Sequence, residues 1–272
     1  MNKKNANNNI ENPISPLGSR GLFSGQLTVV GAGPGDTELI TLKAIKAIKS
    51  ANVILYDALI NEELLKYASV KAELIYVGKR KGCYSYQQEQ INQLIVSRAK
   101  SHGHVVRLKG GDPFIFGRGA EEIEYARQFG LETQVVPGIT SAIAVPAYQG
   151  IPLTKRGASE SFWVITGTTK AHKLSNDVAL AAKSTATVVI LMGMGKLHEI
   201  VAVFSAENKQ DTAIAVIQNG TTQNEKCGIG TISTIQKIVA EKQLSSPAII
   251  VIGDVVKERV VLNSIFKDFA TV

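Results

Sequence analysis

The chain has 272 residues, 44% hydrophobic and 19% charged, with a formal net charge of +7; at about 100–200 residues per domain, two domains are expected. It has no run of 18 apolar residues, which excludes a membrane-spanning helix, and its first 25 residues lack the apolar centre of a signal peptide, so a cytoplasmic protein is expected. The basic balance asks for an acidic partner, which could be nucleic acid, a membrane surface or a small polyanion; an aromatic content of 6% without interleaved stacking residues weakens the single-stranded nucleic acid reading and leaves a polyanionic metabolite open.

Residues 1–25 hold six asparagines together with Pro13 and Pro16, too little apolar content to offset the entropy of ordering, and read as a flexible tail. Apolar runs at 27–30, 53–56, 74–77, 105–108 and 134–136 then alternate with amphipathic stretches, the pattern of a parallel α/β sheet. The stretch 37–49 is expected to be one helix, with Leu39, Leu42, Ile45 and Ile48 on its apolar face and Lys43, Lys46 and Lys49 on a solvated one. Ser85 and Gln88 read as a capping box opening a helix that carries Ile91, Leu94 and Ile95 and stops at Gly103. A further helix over 120–129 ends at Gly130.

The segment 151–157, with Pro152 and two basic residues, is the expected joint between an N-terminal domain at 26–152 and a C-terminal domain at 153–258, followed by a segment at 259–272. In the second domain, 162–166, 188–192, 213–217 and 248–252 read as four strands of another α/β unit. Cys83 and Cys227 match no Cys-x-x-Cys spacing, and none of the four histidines shows a ligand pattern, so reduced thiols and no metal are expected. His102 and His104 fall in a helix-to-strand connection and read as solvated.

Three turns carry the chemistry. The first, 31–36 with sequence GAGPGD, follows a strand, and Asp57 ends the next one. This superficially satisfies a dinucleotide-binding fingerprint. Asp36 replaces the last glycine, however, and Glu38 adds a second carboxylate where a pyrophosphate would meet helix amides. Asp36 reads better as a helix N-cap. The second turn, 109–119, packs Asp112, Phe114 and Phe116 between four glycines and a proline, an ordered loop with close backbone approach. The third, 137–141, brings Thr140 and Ser141 to the opening of another helix. Three such turns at strand ends of one sheet build one crevice.

These turns, with YDAL at 56–59, GKR at 78–80, the run VVRLKGGDPFIFGRG from Val105, VVPGITSA from Val135, and shorter matches at 150–154, 192–193, 218–221 and 246–248, closely resemble the uroporphyrinogen III C-methyltransferases of the tetrapyrrole methylase family over about residues 26–256. The resemblance implies two α/β domains with S-adenosylmethionine in the cleft between them, usually in a homodimer. It implies that Pro34, Gly110, Gly111, Asp112, Ile115, Thr140, Ser141, Met192 and Gly220 line the cofactor site. Asp57 and Lys79 would be the proton-transfer pair. For Met192 and Gly220 the resemblance is the sole source, since spacing alone makes them a strand end and a turn. It further implies two successive methyl transfers to C2 and C7 of uroporphyrinogen III, giving precorrin-2, with a later corrin methylation as the alternative and a nicotinamide oxidoreductase as a more distant one.

The implied substrate carries eight carboxylates, which suits the basic balance: Lys79, Arg80, Lys81, Arg107, Lys109, Arg118 and Arg156 fall in or beside the motif loops. Ala58, Lys155 and Thr168 depart from the family pattern at positions associated with carboxylate binding.

Overall fold

The structure, a computed structural model, describes residues 25–78 and 86–262. Most of the expected tail, the segment 263–272, Lys79, Arg80, Lys81, Cys83 and Ser85 lie outside the described residues. The first sheet contains β1 (Gln26–Gly31), β2 (Val53–Tyr56), β3 (Glu73–Tyr76), β4 (His104–Lys109) and β5 (Glu132–Val136), in the order β3-β2-β4-β1-β5 with every pair parallel. Both faces of a parallel sheet must be covered, and the apolar runs supply two cores. Val30, Ile54 and Leu108 pack under α1 (Leu42–Ser50) with Ala44 and Ile48. Val29, Leu55 and Val105 pack with Ile91 and Ile95 of α2 (Gln88–His102) and Ala126 of α3 (Gly119–Gln128).

The helix expected over 37–49 is divided. A short 3-10 turn, Thr37–Leu39, is capped by Asp36, whose Oδ1 accepts from Glu38 N at 2.9 Å. Ile40 and Thr41 are extended, and the Thr41 hydroxyl accepts from Ala44 N to start α1. The buried residues of α1 are thus Ala44 and Ile48, four apart, whereas Leu42 is 78% exposed. The capping box of α2 is likewise displaced: Gln90 Oε1 accepts from Gln87 N at 2.8 Å, so the helix opens two residues beyond Ser85. His104 begins β4 and is not free in solvent, since Nε2 lies 2.8 Å from Thr28 Oγ1 and Nδ1 lies 3.1 Å from Ser50 O.

The second sheet has five strands where four were expected: β6 (Phe162–Thr166), β7 (Thr187–Leu191), β8 (Ala213–Gln218), β9 (Lys226–Thr231) and β10 (Ala248–Ile252). Its order is β6-β7-β10-β8-β9, and only β6 and β7 are parallel. Helices α5 (Asp177–Lys183), α6 (Leu197–Ala206) and α7 (Ile235–Glu241) cover one face through Val178, Ile200, Phe204 and Ile235. The other face receives α4 (Ser141–Tyr148), the helix that follows β5, with Ala142 and Val145 packed against Val189, Ile217 and Val251. This helix joins the strand ends of the first sheet to the core of the second.

Candidate active site

The three glycine turns follow β1, β4 and β5, neighbours in the first sheet, and they meet by backbone contact. Gly33 and Gly111 exchange hydrogen bonds, Gly111 N donating to Gly33 O at 2.7 Å and Gly33 N to Gly111 O at 3.2 Å. Asp112 stitches the second turn to the third, its Oδ2 accepting from Gly138 N at 3.0 Å and its Oδ1 from Phe114 N at 2.8 Å. Glycine is required at this crossing because a Cβ on Gly138 would stand 2.3 Å from Gly111 O, and one on Gly31 2.5 Å from Gly138 N. The three expected turns therefore meet at one edge of the first sheet.

The second sheet reaches the same edge through the loop after β8. Thr221 Oγ1 accepts from Asp36 N at 3.2 Å. A Cβ on Gly35 would meet Thr222 Cγ2 at 2.7 Å, and one on Gly220 would meet Val145 Cγ1 of α4 at 2.3 Å. Thr140 caps α4, accepting from Ala142 N. At the far end of that helix the Tyr148 hydroxyl donates to Asp36 Oδ2 at 2.9 Å. Burial, then the Asp36 carboxylate, pushes the Tyr148 phenol up to about 12. Spacing gave no sign of this tie, which spans 112 residues of sequence.

Asp57 stands just past β2. Its Oδ1 accepts from Leu59 N at 3.1 Å and its Oδ2 from Arg107 Nη2 at 3.3 Å. Leu59 borders the second turn, since a Cβ on Gly110 would come 2.7 Å from Leu59 Cβ. Gly78, the last described residue before Lys79, is equally close to Ala58: a Cβ there would lie 2.5 Å from Ala58 N. Asp57 thus adjoins both the second turn and the exit of β3.

Of the basic residues expected to meet substrate carboxylates, Arg107, Lys109 and Arg118 are already paired with carboxylates of α3. Arg107 and Lys109 are buried, and both donate to Glu122 Oε1 of α3, at 3.2 and 2.9 Å. Burial, reinforced by Arg107, holds the Lys109 amine below its ordinary pKa. Arg118 forms a two-pronged pair with Glu121 at 2.9 and 2.6 Å, and that hydrogen bonding raises it further. Arg156 is exposed. Sequence reading missed Glu122, although two cations at alternate positions of a strand leave on one face and require an anion there.

Of the other residues implied by resemblance, Pro34, Gly110, Gly111, Asp112, Thr140, Ser141 and Gly220 are partly exposed along the joined turns. Ile115 is 42% exposed between Phe114 and Phe116. Met192 follows β7 with a positive φ of 56° and 53% exposure, its carbonyl accepting from Thr168 Oγ1 at 2.9 Å; its tie is within the second sheet. A groove of about 550 Å³ beside α4, lined by Ile143, Leu153, Phe162 and Val260, contains none of these residues.

Residues 26–236 match the model of the Tetrapyrrole (Corrin/Porphyrin) Methylases. The chain is 48% identical over 236 residues to a uroporphyrinogen-III C-methyltransferase of Methanocaldococcus jannaschii, covering 86% of this chain and 98% of that one. It is 46% identical to the enzyme of the same name from Priestia megaterium, covering 85% and 98%. Its fold superimposes with a TM-score of 0.75 on the Thermus thermophilus uroporphyrin-III C-methyl transferase solved with S-adenyl homocysteine, at 34% identity, covering 86% of this chain and all of that one. The shared fold, the turns that close on one another and these similarities together place the chain in the tetrapyrrole methylase family, to which it belongs.

Proposed function

We propose that this chain is an S-adenosylmethionine-dependent C-methyltransferase that methylates uroporphyrinogen III at C2 and C7 to give precorrin-2. The observation that carries the reading is the junction of the three glycine turns with the 220–222 loop, in a chain 48% identical to an enzyme of that activity. The donor supplies a methyl group on a sulfonium, and the protein's task is to align it with a ring carbon away from water.

The turn chemistry suits this donor better than a dinucleotide. Both oxygens of the Asp36 carboxylate are engaged, by Glu38 N and by Tyr148, so the first turn keeps a negative charge where a diphosphate would need free amides. Partly exposed backbone at Gly110, Gly111 and Gly220, with the exposed apolar side chains of Ile115 and Met192, would hold the donor's nucleoside and amino-acid ends. Asp57, with Lys79, is assigned to the proton lost from the ring; a carboxylate at a strand end can accept it.

The substrate is a polycarboxylate. With Arg107 and Lys109 taken by Glu122, its carboxylates fall to Arg156 and to Lys79, Arg80 and Lys81, consistent with a net charge of +7. We assign the enzyme to the cytoplasm, as a homodimer without metal, nucleic-acid or membrane partners; no helix among the described residues is long and apolar enough to cross a membrane. Incubation with uroporphyrinogen III and labelled S-adenosylmethionine, followed by product mass and carbon assignment, tests the reading. Two methyl groups at C2 and C7 are expected. Methylation of a later corrin instead, or tighter calorimetric binding of NAD than of S-adenosylmethionine, would overturn it.

A further inference from the structure

The first sheet contains a row of charges where a sheet-to-helix interface usually holds hydrocarbon. Arg107 and Lys109, alternate residues of β4, turn the same way into the layer covered by α2 and α3, and they are 3% and 5% exposed. Glu122, 1% exposed, receives both on Oε1, together with Gln88 Nε2 of α2 at 3.1 Å. Among the described residues its Oε2 has no hydrogen-bond partner. Arg107 is held on its remaining nitrogens as well: Nη1 donates to Leu108 O at 2.9 Å and Leu55 O at 3.4 Å.

Such a cluster is a poor way to stabilise a core. Desolvation of buried ions offsets most of their attraction, and apolar residues of similar volume often serve as well or better. The row has a direction, however. It starts at the Glu122 anchor between helices and ends at Arg107 Nη2, 3.3 Å from Asp57 Oδ2, where the Asp57 side chain is 23% exposed. Leu59 N secures the other oxygen at 3.1 Å. The carboxylate is therefore fixed on both oxygens, on one side by a planar guanidinium that is itself locked on every nitrogen. A lysine could supply the charge but not the fork.

We propose that Arg107 is a positioning residue for Asp57: anchored by Glu122 beneath the sheet, its guanidinium holds the Asp57 carboxylate in one orientation at the strand end. This rests on the reading of Asp57 given above. Arg107 does not touch substrate, since it is buried; it acts through Asp57 alone. A misplacement of about 1 Å at a reacting group can cost about 100-fold in rate, so a loosened Asp57 should show in turnover and not in binding.

The test uses four proteins: wild type, Asp57→Asn, Arg107→Lys and the double variant. Each is assayed with uroporphyrinogen III and S-adenosylmethionine, with folding followed by near-ultraviolet circular dichroism and donor-site integrity by calorimetry of S-adenosylhomocysteine. Arg107→Lys should lower kcat about 10- to 100-fold with KM and S-adenosylhomocysteine affinity near wild type, and it should add nothing to the loss already present in Asp57→Asn. Losses that multiply in the double variant, or wild-type kcat in Arg107→Lys, overturn the positioning role. Wild-type turnover in Asp57→Asn alone is the separate result that removes the underlying reading of Asp57. If Arg107→Lys does not fold, Glu122→Gln tests the same chain from its other end: the isosteric amide leaves Arg107 beside Asp57 but removes the negative charge of its anchor. Its kcat loss should be smaller than about tenfold and should vanish in the Asp57→Asn background; a loss that persists there overturns the proposal.

Discussion

The two sheets are equally wide, at five strands each, but they differ in what they bury. The first is wholly parallel, and under α2 and α3 it holds Arg107, Lys109 and Glu122 beside Leu55 and Val105. The second is mixed. Its core is built from Ile190, Ile200, Phe204, Ile214 and Ile250, and among the described residues beyond position 150 the buried polar ones are Ser159, Ser175, Thr187 and Thr221, all neutral hydroxyls. Hydrocarbon cores give stability and no chemistry. The sheet whose strand ends carry the glycine turns is the one that accepts buried ions.

The comparison is broken most severely at the crossing of the turns. Gly138→Ala would place a methyl 2.3 Å from Gly111 O and 2.7 Å from the Gly31 α-carbon, where the obstacles are backbone. Loss of S-adenosylhomocysteine binding and a large fall in melting temperature are expected, measured by calorimetry and thermal circular dichroism. Gly195→Ala, in the 3-10 turn Met194–Lys196 before α6, meets nothing within 4 Å. It should be neutral, or stabilising by up to about 1 kcal/mol. Equal damage from both would mean that the turns have no special close packing.

A second test separates scaffold from site. Phe204 is 1% exposed in the core under α6, and Phe204→Ala should cost about 3–5 kcal/mol of stability in urea unfolding. At a temperature where the variant remains folded, its affinity for S-adenosylhomocysteine should equal that of the wild type. A parallel loss of affinity would show that the second sheet's core is coupled to the site instead of merely supporting it.

The amino-acid sequence made the first sheet legible because its strands are buried on both faces and read as unbroken apolar runs, with glycine turns marking their ends. It did not reveal the strand order, which depends on contacts distant in sequence. The strand β9 escaped notice because Gly228 and Gly230 look like turn residues. Here they make room for α7 and the residue run beyond it, a Cβ on Gly230 meeting Ile238 Cδ1 at 2.5 Å and one on Gly228 meeting Leu244 Cδ1 at 2.9 Å. The same limit applied at the site. Arg107 and Lys109 suit substrate carboxylates when only their place beside the motif loops is visible, because their partner, Glu122, lies 15 and 13 positions away.

The smallest expected effect lies at the tie between the sheets, where the Tyr148 hydroxyl of α4 donates to Asp36 of the first turn. Tyr148→Phe removes one hydrogen bond to a partly exposed carboxylate, which should cost about 1 kcal/mol at neutral pH. Its distinguishing mark is in alkali. The phenol is raised in the folded protein from an ordinary 10.0 to about 12, by burial first and by Asp36 next. Between those values the unfolded chain has lost the proton that the folded chain retains, so the folded state binds more protons and stability falls as pH rises. The contribution is complete below about pH 10 and gone once pH passes about 12. Wild type should therefore lose stability more steeply than Tyr148→Phe across that window, and its advantage in unfolding midpoint should be gone before the upper end is reached. Parallel curves from pH 9 to 12 would show that the Tyr148 proton is not held more tightly in the folded protein, and would leave the contacts of the first turn with Thr221 and Thr222 as its ties to the second sheet.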